Sequence, residues 1–416
     1  MLRCGLLGGR LGHSYSPAIH AMLGDYEYRL CEKTPEEVGR FLTGGDFDGL
    51  NVTIPYKKTV MPFCAELSET ARRVGCVNTI VRRPDGTLFG DNTDVFGFSQ
   101  MVLHSGVPVQ GRKALVFGSG GASGTACDVL RRMGAEVVQI SRSGEDNYEN
   151  LERHADAQIL VNTTPLGMYP NNGTAPVTLE RFPDCALVLD VVYNPDKTEL
   201  ILRAEEAGVP VAVGGLEMLV AQAVYAAEYF LDRKFEDAPA EIRRITAALR
   251  RDTLNIALIG MPSSGKTTLG KLLAKQLGRT FVDLDDAIVK ADGRSIPDIF
   301  AAEGEDGFRA KETEQTARFG KENRQLLSCG GGVVKRPENL RALHQNGVVL
   351  FIDRPVEALA VGGSRPLSSS MEALRTMEAQ RRPLYRAAAD AVVPNTGTLE
   401  DALRAAMEAL DEIFDS

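Results

Sequence analysis

"RRDTLNIALIGMPSSGKTTLG", residues 250–270, decides how the chain divides. A charged hinge gives way to an apolar run, "NIALIG" (255–260), that reads as a strand. A loop and a helical pattern, "KTTLGKLLAKQL" (266–277), follow it. Gly260-Met261-Pro262-Ser263-Ser264-Gly265-Lys266-Thr267 fits G-x-x-x-x-G-K-[ST] in full, in the strand–loop–helix context that gives this pattern its meaning. Backbone N–H groups and a helix N-terminus then receive phosphates. Lys266 brings a point charge, Thr267 offers a hydroxyl to Mg2+, and Thr268 continues the same helix start. The motif states that a nucleoside triphosphate binds; it does not state the reaction.

Upstream, "DAPAEIRRITAALRRDT" (237–253) reads as an amphipathic helix with a basic last turn, closing whatever precedes it. The main boundary is placed near Arg251. With 416 residues the chain exceeds what one core usually holds, so two or three domains are expected. Apolar runs such as "KALVFG" (113–118), "EVVQIS" (136–141), "AQILVN" (157–162), "ALVLDVV" (186–192) and "GVVLFID" (347–353) alternate with helical patterns. Several lack polar alternation, as strands covered on both faces of a parallel sheet do. The fold class is α/β throughout. A net charge of −9 argues against a nucleic-acid partner. "MLRCGLLGGRLGHS" (1–14) is too short and glycine-rich in its apolar part for a signal peptide, and no apolar run reaches membrane-spanning length. Seven scattered cysteines without C-x-x-C fit a reducing cytoplasm. Five histidines without H-E-x-x-H give no expectation of zinc.

A second glycine loop stands at 115–124, "LVFGSGGASG". Gly118-Ser119-Gly120-Gly121-Ala122-Ser123 approximates the dinucleotide fingerprint, with serine in the last position. The next strand ends in Ser141, Arg142 and Ser143, where an NAD site would carry an acid for the ribose 2′-hydroxyl. Arginine there suits a 2′-phosphate and favours NADP. An exposed loop arginine is the competing reading, since Glu145 and Asp146 follow.

Downstream of the phosphate loop, "FVDLDDAI" (281–288) reads as a strand ending in acids. Asp283 can hold Mg2+ through water, and Asp285, two residues on and on the same face, can reach an acceptor hydroxyl. A solvated acidic helix start competes for Asp286. Arg309, the loop Gly330-Gly331-Gly332, Arg365 and Arg381 follow. In this order the segment 254–416 resembles shikimate kinase. The resemblance implies that ATP binds at Met261–Thr268 with Arg365 on a lid, and that Asp285 holds the shikimate hydroxyls. It also implies that Arg309 and Arg381 clamp the carboxylate and Gly331 closes on the ring. The lid stretch "AVGGSRPLSSSMEA" (360–373) is short, and Ala360 stands near where family members carry a basic residue beside the adenine.

The first hundred residues carry "GHSYSP" (12–17), "NVTIPYKK" (51–58), "GCVNTI" (75–80) and "GDNTDVFG" (90–97). A lysine and an aspartate in one cleft, Lys57 and Asp94, make an acid/base pair. With "VNTTPLGM" (161–168), "DVVYNP" (190–195) and "GGLEMLVAQA" (214–223), this order resembles shikimate dehydrogenase over nearly all of 1–250. By resemblance Ser14 and Ser16 bind the shikimate carboxylate. Thr53, Asn78, Asp94, Tyr193 and Gln222 lie at the hydroxyls or the ring, and Lys57 with Asp94 manages the proton. Gly118 to Ser123, Ser141 to Ser143, Asn162, Val191 and Gly215 line NADP(H). Where the family usually has Asn-Arg-Thr, this chain has Ser141-Arg142-Ser143, and the later basic residue that often backs it is missing.

The resemblances imply an α/β substrate domain over 1–104, completed by helices in 216–250, a Rossmann-type NADP domain over 105–215, and a P-loop kinase with a parallel sheet over 251–416. They imply reduction of 3-dehydroshikimate to shikimate with NADPH, then phosphorylation to shikimate 3-phosphate with ATP and Mg2+. A cytoplasmic enzyme without membrane or nucleic-acid partners is expected, and a homodimer through the dehydrogenase part is considered. Two alternatives stay open: an NAD-dependent quinate/shikimate dehydrogenase, and a C-terminal half that senses nucleotide without turnover. A P-loop motor lacks the basic stripe it would need.

Overall fold

The computed structural model describes residues 1–12, 14–359 and 370–415. Contacts divide the chain into two compact units, one holding almost all of 1–249 and the other 250–416. The first unit contains two sheets. One is built from β1 (Arg3–Gly8), β2 (Glu27–Glu32), β3 (Gly49–Val52), β4 (Glu66–Leu67), β5 (Thr79–Arg82) and β6 (Leu88–Asp91) in the order β2-β1-β3-β5-β6-β4. Only β5 runs antiparallel to its neighbours. Its core on one side includes Leu7, Val38, Leu42, Leu50 and Ile80. On the other side Cys4, Val220, Val224 and Phe230 pack together, so the helix Leu216–Leu231 returns late in the sequence to cover this early sheet. Gly49 is required by that return: a Cβ there would stand 2.3 Å from the Phe230 ring.

The second sheet is wholly parallel: β7 (Lys113–Phe117), β8 (Glu136–Ile140), β9 (Ile159–Asn162), β10 (Leu187–Asp190) and β11 (Val211–Val213), ordered β11-β10-β9-β7-β8. Ala114 and Val116 enter one core, Leu115 and Phe117 the other, which is why "ALVF" shows no polar alternation. The strand order reverses beside β7, the place where doubly wound sheets open a crevice at their carboxyl ends. The strands stop earlier than the apolar runs. Gly118 leaves β7 at φ 127°, and beyond β10 the Val192 N–H turns back to the Asp190 carboxylate at 3.0 Å.

The second unit holds β12 (Asn255–Ile259), β13 (Thr280–Asp283), β14 (Gln325–Ser328), β15 (Gly347–Asp353) and β16 (Ala391–Pro394), all parallel, ordered β13-β14-β12-β15-β16. Ala257 and Ile259 face one core, Ile256 and Leu258 the other. The phosphate loop leaves β12 where β14 and β15 flank it. Gly260 has φ 145°, and a Cβ there would meet the Ile352 carbonyl oxygen at 2.7 Å.

One local expectation is corrected. The strand β13 ends at Asp283, and a helix, Leu284–Asp292, begins at once. Asp283 caps that helix, its carboxylate accepting from the Asp285 N–H at 3.1 Å. Asp285 and Asp286 both stand in the first helical turn, so strand alternation is not what places Asp285. Acids in that turn complement the helix dipole.

Candidate active sites

In the first unit, Lys57 lies just beyond β3 and donates from Nζ to Asp94 Oδ2 at 2.6 Å. The two side chains are 19% and 9% exposed, so the pair is mostly shielded yet reachable. Asp94 opens the helix Asp94–His104, where the N-terminus favours a carboxylate. Asn78 Nδ2 donates to Asp94 Oδ1 at 2.9 Å and to Gln222 Oε1 at 3.4 Å. Asn78 is itself held by the Thr93 N–H, 2.7 Å from its Oδ1. Lys57, Asn78, Asp94 and Gln222 therefore form one hydrogen-bonded group drawn from four separate segments. A second group starts from Ser14, whose Oγ accepts from the Ser16 N–H at 3.2 Å. Tyr28 donates to Asn51 Oδ1 at 2.7 Å; burial holds its phenol well above the usual range, with a Ser16 hydrogen bond opposing. Thr53 follows β3, its N–H on the Leu7 carbonyl at 2.9 Å. The Tyr193 ring stands 5.2 Å from that of Tyr15, and burial raises its phenol.

The first glycine loop comes up to this cleft. A Cβ on Gly121 would lie 3.5 Å from Lys57 Cδ and 3.4 Å from Cys76 Sγ. The helix Gly121–Arg132 starts from Gly120 without a side-chain cap, and the first N–H groups of a helix have no partner within it. Ser123 replaces the usual small apolar residue at no cost in polarity. It is buried, donates to the Gly118 carbonyl at 2.8 Å and accepts from Gln139 at 2.7 Å. Ala122 stands in the same first turn. Beyond β8, Ser141 turns its N–H to the Asp146 carbonyl at 3.2 Å, and Arg142 and Ser143 are exposed. The Asp146 carboxylate lies 2.8 Å from His154 Nε2, which engages one of the two acids that follow Arg142.

Asn162 is fully buried and acts within the protein. Its Nδ2 donates to Asp190 Oδ1 at 3.0 Å and its Oδ1 accepts from the Thr164 N–H at 2.9 Å, fixing the loop after β9. Asp190, which sequence reading passed over, also accepts from Thr198 at 2.7 Å; burial raises its carboxyl to about 7 against these bonds. Gly215 must be glycine, since a Cβ would stand 2.3 Å from the Val191 carbonyl oxygen.

In the second unit a cavity of about 710 Å³ is lined by Pro262, Ser263, Lys266, Thr268, Asp285 and Arg381 among others. Gly265 precedes the helix Lys266–Leu277 at φ 95°. Lys266 Nζ donates to the carbonyls of Gly260 and Met261 at 3.0 and 2.8 Å, crossing its own loop. Thr267 Oγ1 donates to Asp283 Oδ2 at 2.9 Å and lies 3.2 Å from Ser328 Oγ. A hydroxyl and a carboxylate so close together are the hard oxygen donors that Mg2+ takes alongside phosphates and water. Asn395, another residue passed over, is buried and donates from Nδ2 to the Ser264 carbonyl at 2.8 Å, bracing the loop from β16.

Opposite the phosphate loop, Arg309 Nη1 donates to Glu312 Oε2 at 2.7 Å. Glu312 is fully buried, and burial raises its carboxyl while Arg309 lowers it. A spacing of three residues on a helix was the available signal for this partner. Arg381 Nη1 donates to the Gly331 carbonyl at 2.8 Å, and the Tyr385 hydroxyl donates to the same oxygen at 2.5 Å. A Cβ on Gly331 would lie 2.9 Å from Pro262 Cδ, so the triple-glycine loop packs on the phosphate loop. Ala360 and Arg365 lie outside the described residues.

Comparison with known proteins finds two families along the chain. A family model described as shikimate dehydrogenase substrate binding domain matches residues 6–80, and one described as shikimate kinase matches 262–412. The curated shikimate dehydrogenase (NADP(+)) of Methanosarcina acetivorans is 35% identical over 272 residues, 58% of this chain and 96% of the relative. That of Clostridium beijerinckii is 32% identical over 253 residues, 56% of this chain and 93% of the relative. The solved shikimate 5-dehydrogenase of Thermus thermophilus, in complex with NADP(H) and shikimate, is 30% identical, with a TM-score of 0.54 over 60% of this chain and 99% of that one. A chorismate mutase/shikimate 5-dehydrogenase fusion protein from Clostridium acetobutylicum is 33% identical, with a TM-score of 0.55 over 59% and 96%. Among the described residues no helix is long and apolar enough to cross a membrane.

Proposed function

We propose a division of labour for a chain that belongs to the shikimate dehydrogenase family and carries a shikimate kinase domain behind it. It is a bifunctional shikimate-pathway enzyme, with NADP-dependent dehydrogenase and ATP-dependent kinase domains. Residues 1–104 with 216–250 hold the dehydrogenase substrate, 105–215 hold NADP(H), and 251–416 are the kinase. The observation that carries the reading is the Lys57–Asp94 bond of 2.6 Å beside Gly121.

In the first reaction 3-dehydroshikimate lies with its carboxylate at Ser14 and Ser16 and its hydroxyls toward Thr53, Asn78, Tyr193 and Gln222. Bound NADPH supplies the hydride. Lys57 gives its proton to the carbonyl oxygen as that oxygen becomes a hydroxyl, and Asp94 keeps the ammonium aimed. The uncapped helix start at Gly120–Ala122 receives the pyrophosphate, and Arg142 with Ser141 and Ser143 the 2′-phosphate. Val191 and Gly215 shape the remaining wall, and buried Asn162 holds the loop after β9 behind it.

In the second reaction Arg309 and Arg381 hold the shikimate carboxylate, and the Gly331 backbone holds the ring. Asp285 takes the hydroxyl proton as the oxygen attacks the γ-phosphorus and the bond to ADP breaks. Lys266 and the N–H groups of Met261–Thr268 neutralise the phosphates. Thr267 directly, and Asp283 through water, hold Mg2+. Arg365, outside the described residues, stabilises charge on the moving phosphoryl group. Seven free thiols support a reducing, cytoplasmic setting, and a homodimer through the dehydrogenase part completes it.

The test is one reaction mixture holding 3-dehydroshikimate, NADPH and ATP-Mg. NADPH oxidation proceeds further with ATP-Mg than without, because phosphorylation removes shikimate from a reversible reduction. Shikimate that accumulates unphosphorylated defeats the kinase assignment; NADPH that is not oxidised defeats the dehydrogenase assignment. A solved quinate dehydrogenase from Corynebacterium glutamicum in complex with NAD, 28% identical with a TM-score of 0.51, keeps cofactor choice worth testing. Arg142→Ala is expected to raise the apparent constant for NADPH about tenfold or more, through loss of a charge-assisted bond. The constant for NADH should barely move. Equal changes for both would show that Arg142 does not read the 2′-phosphate.

A further inference from the structure

Arg309 is not bare in the kinase cavity. One edge of its guanidinium is locked to buried Glu312 at 2.7 Å. One face is sealed by Gly332, where a Cβ would lie 2.1 Å from Cζ. The other edge, Nε and Nη2, meets Glu305 Oε1 at 3.2 Å from each nitrogen. The same oxygen stands 2.6 Å from Lys335 Nζ. Charge-assisted N–H···O bonds usually measure ~2.7–2.9 Å, so Glu305 belongs to Lys335 first and touches Arg309 loosely. The electrostatics agree: Lys335 is the main cause holding the Glu305 carboxyl below its ordinary range, and Arg309 a lesser one.

Local structure sets this up. Gly304, at φ 71°, interrupts the helix Ile296–Gly320, so Glu305 restarts it and reaches Arg309 one turn on. Lys335 comes from the turn Val333–Lys335 behind the triple-glycine loop. A buried guanidinium edge without an acceptor is costly, and a tightly bound internal acceptor would shut out an incoming carboxylate. A carboxylate tethered elsewhere meets both demands.

We propose that Glu305 is a placeholder on the carboxylate clamp. It covers the Nε–Nη2 edge of Arg309 until the substrate carboxylate arrives, and then gives way toward Lys335. The Glu305–Lys335 pair thereby sets the affinity for that carboxylate, as a positioning device outside the reacting atoms. The inference rests on Arg309 being the clamp.

The full-length protein is assayed for kinase activity with shikimate and with its uncharged carboxamide. Glu305→Gln is expected to lower the KM for shikimate about two- to fivefold, the size of a half-exposed ion-pair competitor, with kcat and the KM for ATP little changed. The carboxamide, having no charge to set against Glu305, should gain nothing. Lys335→Met frees Glu305 to hold Arg309 more closely and should raise the KM for shikimate. In the Glu305→Gln background that rise should vanish. A KM that is unchanged or higher in Glu305→Gln overturns the proposal, as does a Lys335→Met effect that survives in the double variant. Arg309→Ala separates the two levels. If it leaves the KM for shikimate unchanged, the clamp assignment itself falls. If it raises that KM while Glu305→Gln does not lower it, only the placeholder falls.

Discussion

Lys57→Ala is expected to lower dehydrogenase kcat by about 10²–10⁴-fold, the usual worth of one positioned acid/base group. Phosphorylation of added shikimate should keep its wild-type rate, because Lys57 belongs to the first unit and the phosphate loop to the second. The geometry makes the loss specific. Lys57 puts its charge 2.6 Å from Asp94, while Asn78 holds the other carboxylate oxygen at 2.9 Å. Without the lysine, Asp94 keeps its place, but no ammonium remains to give a proton to the forming hydroxyl. Binding of NADPH, followed by its fluorescence, should be almost unaffected, which separates lost chemistry from a damaged fold. Near-normal reduction by Lys57→Ala would remove this residue from the mechanism.

The mirror experiment targets the second unit. Lys266→Met and Asp285→Asn are each expected to cut kinase kcat by at least ~10²-fold while leaving reduction intact. They should differ in kind. Lys266 spans the phosphate loop through the carbonyls of Gly260 and Met261, so its loss should also weaken ATP. Asp285 lies against Gly330, where a Cβ would meet its Oδ1 at 2.9 Å, so its loss should leave the KM for ATP nearly unchanged. Full phosphoryl transfer by Asp285→Asn would show that another group takes the proton.

Much of this was legible because two kinds of signal are local. The phosphate loop needs a strand, a glycine turn and a helix in immediate succession, and residues 255–277 supply all three. The same holds for Lys113–Arg132. What could not be read locally were partners brought in from a distance. Nothing near Asn395 announces that its amide would meet Ser264, because that contact exists only once β16 lies in the sheet. Asn162 carries the right letter for a lined cofactor site, yet the fold buries it as a brace for Asp190. The Asp283–Asp285 spacing fits a strand's period, but the chain turns helical at Leu284. A capping carboxylate can end one period and begin another within a single residue.

The brace on the phosphate loop also carries a meaning for biogenesis. Ribosomal synthesis delivers domains in order, at ~5–20 residues per second, and each folds as its last necessary segment emerges. The helix Leu216–Leu231, which covers the first sheet, is made before the phosphate loop exists. The loop itself is made early in its own unit, but Asn395 emerges only with β16, after the other four strands of that sheet. A nascent chain therefore owns a finished reductase half while its phosphate cradle still lacks a wall. Chains cut short before β16, by a stalled ribosome or by a protease, would retain reduction and lose phosphorylation. Such fragments would release shikimate and leave its phosphorylation to intact copies.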